Sequence, residues 1–485
     1  MTDPDRAPRP SRRSGDVAGG PRNGEPIGYA EALAAIAARG RFGIRLGLGR
    51  TRALLRELGD PQRAVRGALV GGTNGKGSVL ALAAAAIRAA GLRVGETPKP
   101  HLVTYRERLQ VDGRPVDAET FAVLAGEVLP IAARIARRHG EPTEFELLTA
   151  MMFRWFAEMR PDVALVEVGL GGRLDATHVW DGGVAVVTNV GLDHMDRLGS
   201  TIVAIAREKA AIIERGDHAV TAATGEALTI VRRRARRLGV PLVEVPAPEI
   251  LGWDRDGIDV ELPRLGRTRV GLRGRHQAVN AATAHALLDA LGTAGIAHID
   301  DPARRRGFAD ARWPGRLELI EHDGREILLD GAHNPAGASA LAIAIDDLRP
   351  YLAGGGDASP PALTVLSAAM ADKDVAGIVA ALSASAALVG ATVICTQLDA
   401  PRALPAAELA RTWRAHGPEM TRIRVEPDLD GGWARALGQV RGTRGSRARS
   451  GGPPEGPVLV TGSLYLVGAI RARLVDDAAL RDPEA

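Results

Sequence analysis

The sequence predicts an α/β fold on a mainly parallel sheet, and two observations carry that expectation. Strand, glycine turn and helix recur between residues 67 and 291, and after a polar, proline-bearing break a second such series runs to the C-terminus. A length of 485 residues allows two or three domains.

Taken in order, "GYAEALAAIAAR" (28–39) reads as an amphipathic helix, "RGALVGG" as a short buried strand, and "SVLALAAAAIRAAG" as a helix closed by Gly91. "PDVALVEVGLGG" and "GGVAVVTNVGLDH" are buried-strand patterns, "TIVAIAREKAAII" follows as a helix, and "AVNAATAHALLDALG" is another. The break "HIDDPARRRGFADARWPGR" is polar and carries Pro302 and Pro314. Beyond it, "REILLDGAHNP", "ALTVLSAAM", "ATVICTQL" and "PVLVTGSLYLVGAI" form the second series. The expected organisation is a disordered polar tail over 1–26, a first domain over 27–309 and a second over 310–485, with 442–457 as a low-complexity loop. The basic tract "VRRRARRLG" (231–239) reads as the solvated face of a helix.

Composition narrows the function classes. Aromatics make up 3% of the chain, so the core rests on Ala, Val, Leu and Ile. A single cysteine, Cys395, excludes an intrachain disulfide framework and suits a reducing, cytoplasmic compartment. The tail lacks the apolar centre of a signal peptide, and no apolar run approaches the roughly 18 residues of a membrane span. A formal charge of +4 gives no argument for nucleic acid. Lysine is scarce: Lys76, Lys99, Lys209 and Lys373 are the only four, and arginine supplies the other permanent cations. Each lysine therefore draws attention as a place where a guanidinium will not serve.

Three clusters carry chemistry. "GGTNGKGS" (71–78) stands between a strand and a helix, the context of a phosphate loop. There the backbone N–H groups of Gly72, Thr73, Asn74, Gly75 and Gly77 and the helix start would cradle phosphates. Lys76 would reach the terminal phosphates and Ser78 would offer a hydroxyl to Mg²⁺. The spacing departs from the usual G-x-x-x-x-G-K-[ST], with Val70 in the first glycine's place and Gly77 between lysine and serine. In "LVEVGLGGRLDATH", Glu167 sits on an apolar strand, where an acid needs a metal or a salt-bridge partner, and Asp175 is either a ligand or a turn former. In "TNVGLDHMDRLG", Asp193, His194 and Asp196 follow a strand end, where α/β sheets place ligands, although a histidine there also has a purely structural reading.

These segments, with "GRFGIRLGL" (40–48), "PHLVTYRERL" (100–109), "EKA" (208–210), "GRHQAVNAA" (274–282), "WPGRLE" (313–318), "DGAHNP" (330–335), "DKD" (372–374) and "TGSLYLVG" (461–468), resemble in kind and order the folylpolyglutamate synthase/dihydrofolate synthase family, relatives of the Mur ligases. The resemblance implies an N-terminal P-loop ATPase domain and a smaller Rossmann-like C-terminal domain. It implies ATP on Lys76 and the loop, with Asn280, Arg316 and Asp330 completing the nucleotide site. It implies two Mg²⁺ ions, one on Ser78 and Glu167 and a second involving Glu167 and His194, with Lys209 carbamylated beside it. Asp330, His333 and Ser463 fall where the family positions the incoming glutamate, and segment 97–109, with Lys99, His101 and Arg106, borders the pterin-bearing substrate together with Asp175.

The implied activity joins L-glutamate to dihydropteroate and to reduced folates through an acyl phosphate in a monomeric enzyme. Tail extension alone, or a Mur-type ligase for another acid, stand as alternatives. Departures from the family pattern are Pro98-Lys99 where Thr-Ser is common, His178 for Asn and Ala211 for Gly. Lys99 is open between an anionic substrate and plain solvent.

Overall fold

The computed structural model describes residues 27–43, 45–352, 362–418, 421–438 and 456–483; the expected tail and nearly all of the 442–457 loop lie outside them. Three sheets organise the chain. The first holds β1 (Gly67–Gly71), β2 (Val94–Thr97), β3 (Gln110–Val111), β4 (Arg114–Pro115), β5 (Val163–Glu167), β6 (Gly183–Val187), β7 (His218–Thr221) and β8 (Leu242–Glu244), in the order β4-β3-β2-β5-β1-β6-β7-β8. The β2–β3 and β3–β4 pairs are antiparallel; the other neighbours run parallel.

The sequence explains this centre. β1 and β5 are buried at every position, as continuous apolar runs covered by helices on both faces should be. Helix Lys76–Ala89 leaves β1 through the glycine turn, is buried from Ser78 to Ile87, and stops just before Gly91, whose φ is +78°. Its alanines admit close neighbours. Helix Asp301–Asp310 crosses it so tightly that a Cβ on Gly307 would lie 2.4 Å from the Ala86 backbone.

That second helix departs from the polar break its composition predicts. Asp300 caps it by accepting the Ala303 N–H, Pro302 occupies its first turn, and its buried face is Ala303, Arg304, Gly307 and Phe308. The polar composition reflects the cap and the exposed face. Two further features were unread: long helices at Ala118–His139 and Glu144–Met159, and an antiparallel sheet of β9 (Ile250–Asp254), β10 (Gly257–Leu262) and β11 (Gly266–Val270). The basic tract is the outer face of helix Gly225–Leu238, where Val231 and Ala235 face inward and Arg232 pairs with Glu244.

The last sheet contains β12 (Glu318–His322), β13 (Arg325–Asp330), β14 (Thr364–Ser367), β15 (Thr392–Cys395), β16 (Arg422–Val425) and β17 (Val458–Thr461), ordered β12-β13-β17-β14-β15-β16 and parallel except for β12. Register aligns the functional ends. Val70 is level with Glu167, Gly71 with Val187, and in the last sheet Asp330 with Thr461. Both sheets thus turn carboxyl edges toward one cleft, the usual ligand position of open α/β sheets. No described helix is long and apolar enough to cross a membrane.

Gly307→Val is expected to lower the unfolding free energy by about 1–3 kcal/mol, because the added side chain meets backbone rather than a movable side chain. Urea titration reads the change, and an unaltered midpoint would mean the two helices have slack.

Candidate active site

The cleft is a cavity of about 630 Å³ lined by both sheets' loops. Its floor is the turn 72–75, a backbone pressed from three sides. A Cβ on Gly72, at φ +146°, would lie 1.9 Å from Thr188 Oγ1, and one on Gly75, at φ +83°, would lie 2.4 Å from Asn280 Oδ1. At Gly77 the indole of Trp313 occupies the place of a side chain, 2.6 Å from where Cβ would be. That packing accounts for the glycine between Lys76 and Ser78. Thr188 Oγ1 donates to Asn74 O at 2.7 Å, and Asn189 takes the Thr73 N–H on its backbone oxygen and the Asn74 N–H on Oδ1.

Lys76 Nζ lies 3.2 Å from Gly72 O and 3.1 Å from Thr73 O, and 3.8 Å from Glu167 Oε1. Glu167 Oε2 accepts the Lys99 N–H at 2.9 Å. Burial pushes the Glu167 carboxyl up, opposed by Lys76 and Lys99. Lys99 is no plain solvent lysine: Nζ donates to Glu167 O at 2.6 Å and stands 4.5 Å over the Phe145 ring. Burial pushes its amine down to about 8. Lys209, on helix Ile202–Ala210, is buried and donates to Gly72 O at 2.8 Å; burial first, then the charge of Lys76, push its amine down to about 7. Its neighbour Gly172 packs against the same helix, where a Cβ would lie 2.6 Å from Glu208 O. His194 has left-handed backbone (φ 50°, ψ 41°), and burial lowers its imidazole's affinity for a proton.

From the last sheet come Arg316, Asp330 and His333. Asp330 accepts the Leu317 and Ala332 N–H groups, at 3.0 and 2.9 Å; burial raises its carboxyl and Arg316 opposes the rise. His333 Nδ1 is 2.8 Å from Gly331 O, which can only accept, so the proton sits on Nδ1 and Nε2 keeps a lone pair. Burial pushes its proton affinity down to about 4, so the ring is neutral at pH 7.

The cavity thus brings together Gly72 to Ser78, Lys99, Glu167, His194, Lys209, Asn280, Arg316, Asp330 and His333. Four other expected residues are engaged elsewhere. Arg106 is buried against Asp482 and Arg481 near the C-terminus, at 3.2 and 2.7 Å. His101 accepts from Arg108 Nε at 2.9 Å and stacks on Tyr105. Asp175 ties its own loop by accepting the Leu170 and Thr177 N–H groups, the turn-former alternative. Ser463 caps helix Leu464–Leu474 by accepting the Tyr465 N–H at 3.2 Å. Residues the sequence reading did not assign also line the cavity: Arg108, Phe145, Gln277 and Asn334. Of these, Arg108, Gln277 and Asn334 lie inside quoted motifs, which was the available signal; Phe145 does not.

Among the described residues no three His, Cys, Asp or Glu side chains cluster to hold a metal. Ser78, Glu167, Asp193 and His194 line the cavity as possible donors.

Residues 70–288 match the Mur ligase middle domain and 315–446 the Mur ligase glutamate ligase domain. The dihydrofolate synthase/folylpolyglutamate synthase of Bacillus subtilis (strain 168) is 34% identical over 456 residues, spanning 92% of this chain and 99% of that protein. Mycobacterium tuberculosis folylpolyglutamate synthase, solved with ADP and AMPPCP, superposes with a TM-score of 0.77 at 32% identity, covering 93% of this chain and 100% of the other. E. coli FolC with DHPP and ADP gives 0.75 at 28% identity, covering 94% and 99%.

Lys209 gives the cavity a measurable signature. The unfolded chain keeps a proton on this amine up to about 10.5, whereas the folded chain releases it near 7. The unfolded state therefore binds more protons in that window, and this group makes stability rise with pH there. Lys209→Met is expected to flatten the rise in unfolding free energy between pH 7 and 9 by roughly 1–2 kcal/mol, each pH unit carrying at most about 1.4 kcal/mol. Identical slopes for the two proteins in urea titrations would contradict the buried neutral amine.

Proposed function

The chain belongs to the dihydrofolate synthase/folylpolyglutamate synthase family of Mur ligases, and from that premise we propose how its own residues perform ATP-dependent ligation of glutamate to dihydropteroate and to the γ-carboxylate of folates. The observation that carries the reading is the meeting of a phosphate loop with Glu167 on one wall and Arg316, Asp330 and His333 on the other.

ATP phosphates fit the loop, whose glycines leave only backbone around the ligand, with Lys76 at their edge and Asn280 against the turn. Arg316 faces them across the cleft from the unit built on the last sheet, the second of the two units, the first being built on the eight-stranded sheet. Mg²⁺ fits the donor set too. It keeps waters and phosphate oxygens and asks the protein for only one or two carboxylates, which Glu167 supplies with the Ser78 hydroxyl. When bound, the ion neutralises the crowded phosphate charge. A second ion would use Glu167, His194 and a carbamylated Lys209. The last idea is supported by a buried amine pushed down to about 7, so that a large share of it is neutral near pH 7 and nucleophilic toward CO₂.

The acceptor carboxylate attacks the γ-phosphorus and displaces ADP, giving an acyl phosphate. The glutamate nitrogen then attacks the acyl carbon, inorganic phosphate leaves, and the nitrogen loses a proton. Lys76, Lys99 and Arg316 surround the developing negative charge with fixed cations. His333 is the better candidate for the proton acceptor. Its Nε2 lone pair is uncommitted by the Nδ1 bond, whereas both Asp330 oxygens already accept backbone N–H groups. Closure of the two units over the cleft keeps water from the acyl phosphate.

Phosphate release with ATP, Mg²⁺ and glutamate is expected with dihydropteroate and with tetrahydrofolate. A protein that extends tetrahydrofolate yet never accepts dihydropteroate would limit the activity to tail extension. Lys209→Arg keeps a cation but cannot form a carbamate, and is expected to lose about 100-fold in kcat with the fold intact. Full activity of that variant would refute the carbamate.

A further inference from the structure

Three of the four lysines line the cavity; the fourth, Lys373, does not. It sits in the turn after β14, on the second unit, and its Nζ crosses to Asp193 Oδ1 on the first, 3.3 Å away. Their side chains are 15% and 14% exposed, so this pair is drier than an ordinary surface ion pair. Asp193 has a second visitor from the same unit: Asn334 Nδ2 lies 3.2 Å from Oδ2.

Both visitors stand on a stiff platform. Asn334 Oδ1 caps helix Pro335–Leu348 through the Gly337 N–H at 2.8 Å. Lys373 precedes Asp374, which caps helix Val375–Leu382 through the Gly377 N–H at 2.9 Å. The two helix starts abut, since a Cβ on Gly377 would lie 2.9 Å from Pro335 Cγ. Asn334 cannot follow Asp193 without leaving its cap, and Lys373 can follow only as far as its stem reaches.

What Asp193 holds matters to the site. Oδ1 also accepts the N–H of His194, at 2.9 Å, and His194 occupies a left-handed conformation that is uncommon for a non-glycine residue. Asn334 Nδ2 donates a second time, to Asn74 Oδ1 in the phosphate loop at 3.1 Å. One amide thus touches both the phosphate loop and the carboxylate that fixes His194.

We infer that Lys373 and Asn334 are positioning residues that make the first unit's catalytic loop depend on the second unit's arrival: through Asp193 and Asn74 they set His194 and the phosphate loop in working geometry only when the cleft is closed. The inference rests on the ligase reading above and deepens it. Closing the units and assembling the site become one event, so phosphoryl transfer to the acceptor is withheld from an open cleft.

The experiment uses the full-length protein with the ATP analogue AMPPCP and Mg²⁺, and compares Lys373→Met, Lys373→Arg and Asn334→Asp. The last keeps an oxygen to cap its helix but removes both donors and faces Asp193 with a like charge. Small-angle scattering reads closure, and steady-state kinetics read kcat and KM separately. Lys373→Met and Asn334→Asp are expected to remain expanded with the analogue bound and to lose at least about tenfold in kcat, with KM for ATP within about threefold. Lys373→Arg is expected to recover compaction and most of the rate. Wild-type scattering and rate in Lys373→Met would overturn the inference. So would a lost rate with normal compaction, which would make the lysine act without closure. If the unchanged protein turned over no ATP with any folate or pteroate, the ligase reading would fall, while the scattering comparison would still decide whether Lys373 closes the cleft.

Discussion

The phosphate loop has no room for a side chain at Gly72, Gly75 or Gly77, and the arrangement of the molecule follows from that. Thr188, Asn280 and Trp313 come from three separate parts of the chain and press on Gly72, Gly75 and Gly77. Each contact needs a hydrogen in place of a Cβ, and each fixes a neighbouring element: β6 through Thr188, the Ala-rich helix Gln277–Thr293 through Asn280, and the link to the last sheet through Trp313. A loop so enclosed has its path set before any phosphate arrives, with the Thr73 and Asn74 N–H groups already held by Asn189, which is the electrostatic value of a preformed anion site.

The charges around it are arranged for a ligand rather than for the empty protein. Lys76, Lys99, Lys209 and Arg316 line one cavity with Glu167, whose own carboxyl is resisted by burial. Both Lys99 and Lys209 give up part of their proton affinity to be there, and carbonyl oxygens of Glu167 and Gly72 hold them in place. Concentrating cations in a partly desolvated cleft costs stability that a polyanion returns on binding. The scarcity of lysine elsewhere fits this picture. A compact ammonium can donate to one carbonyl and still be displaced a short way toward a phosphate, whereas a planar guanidinium needs a flat fork of acceptors.

The parallel sheets were legible because buried strands such as "VALVE" and "GALVG" are unbroken apolar runs beside glycine turns. The helix Asp301–Asp310 was not, since its cap, first-turn proline and exposed arginines make a composition indistinguishable from a linker; only its packing on Ala86 reveals it. At the site, the residues that follow directly from strand ends and the glycine turn stand at the cavity. Arg106 does not, because its partner Asp482 is 376 residues away and nothing local announces it. Asp175 and Ser463 illustrate a different limit. Each lies in a motif near the site, yet its oxygens accept backbone N–H groups within five residues, a local role that the motif did not announce.

The irregular spacing of "GKGS" is where these threads meet. An ordinary phosphate loop sets serine directly after lysine; here Gly77 intervenes, and Trp313 fills the place its side chain would take. Two residues past that indole, Gly315 donates its N–H to Glu318 and accepts the N–H of Gly331, which leads into the Asp330–Asn334 segment. The extra glycine therefore lets the connection between the two units rest on the first turn of the phosphate-loop helix, next to Lys76 and Ser78. A shift of the second unit relative to the first must move Trp313 against that turn, or move Asn334 and Lys373 off Asp193. The loop and the cleft are mechanically one device, and the departure from the common spacing is the space that device requires.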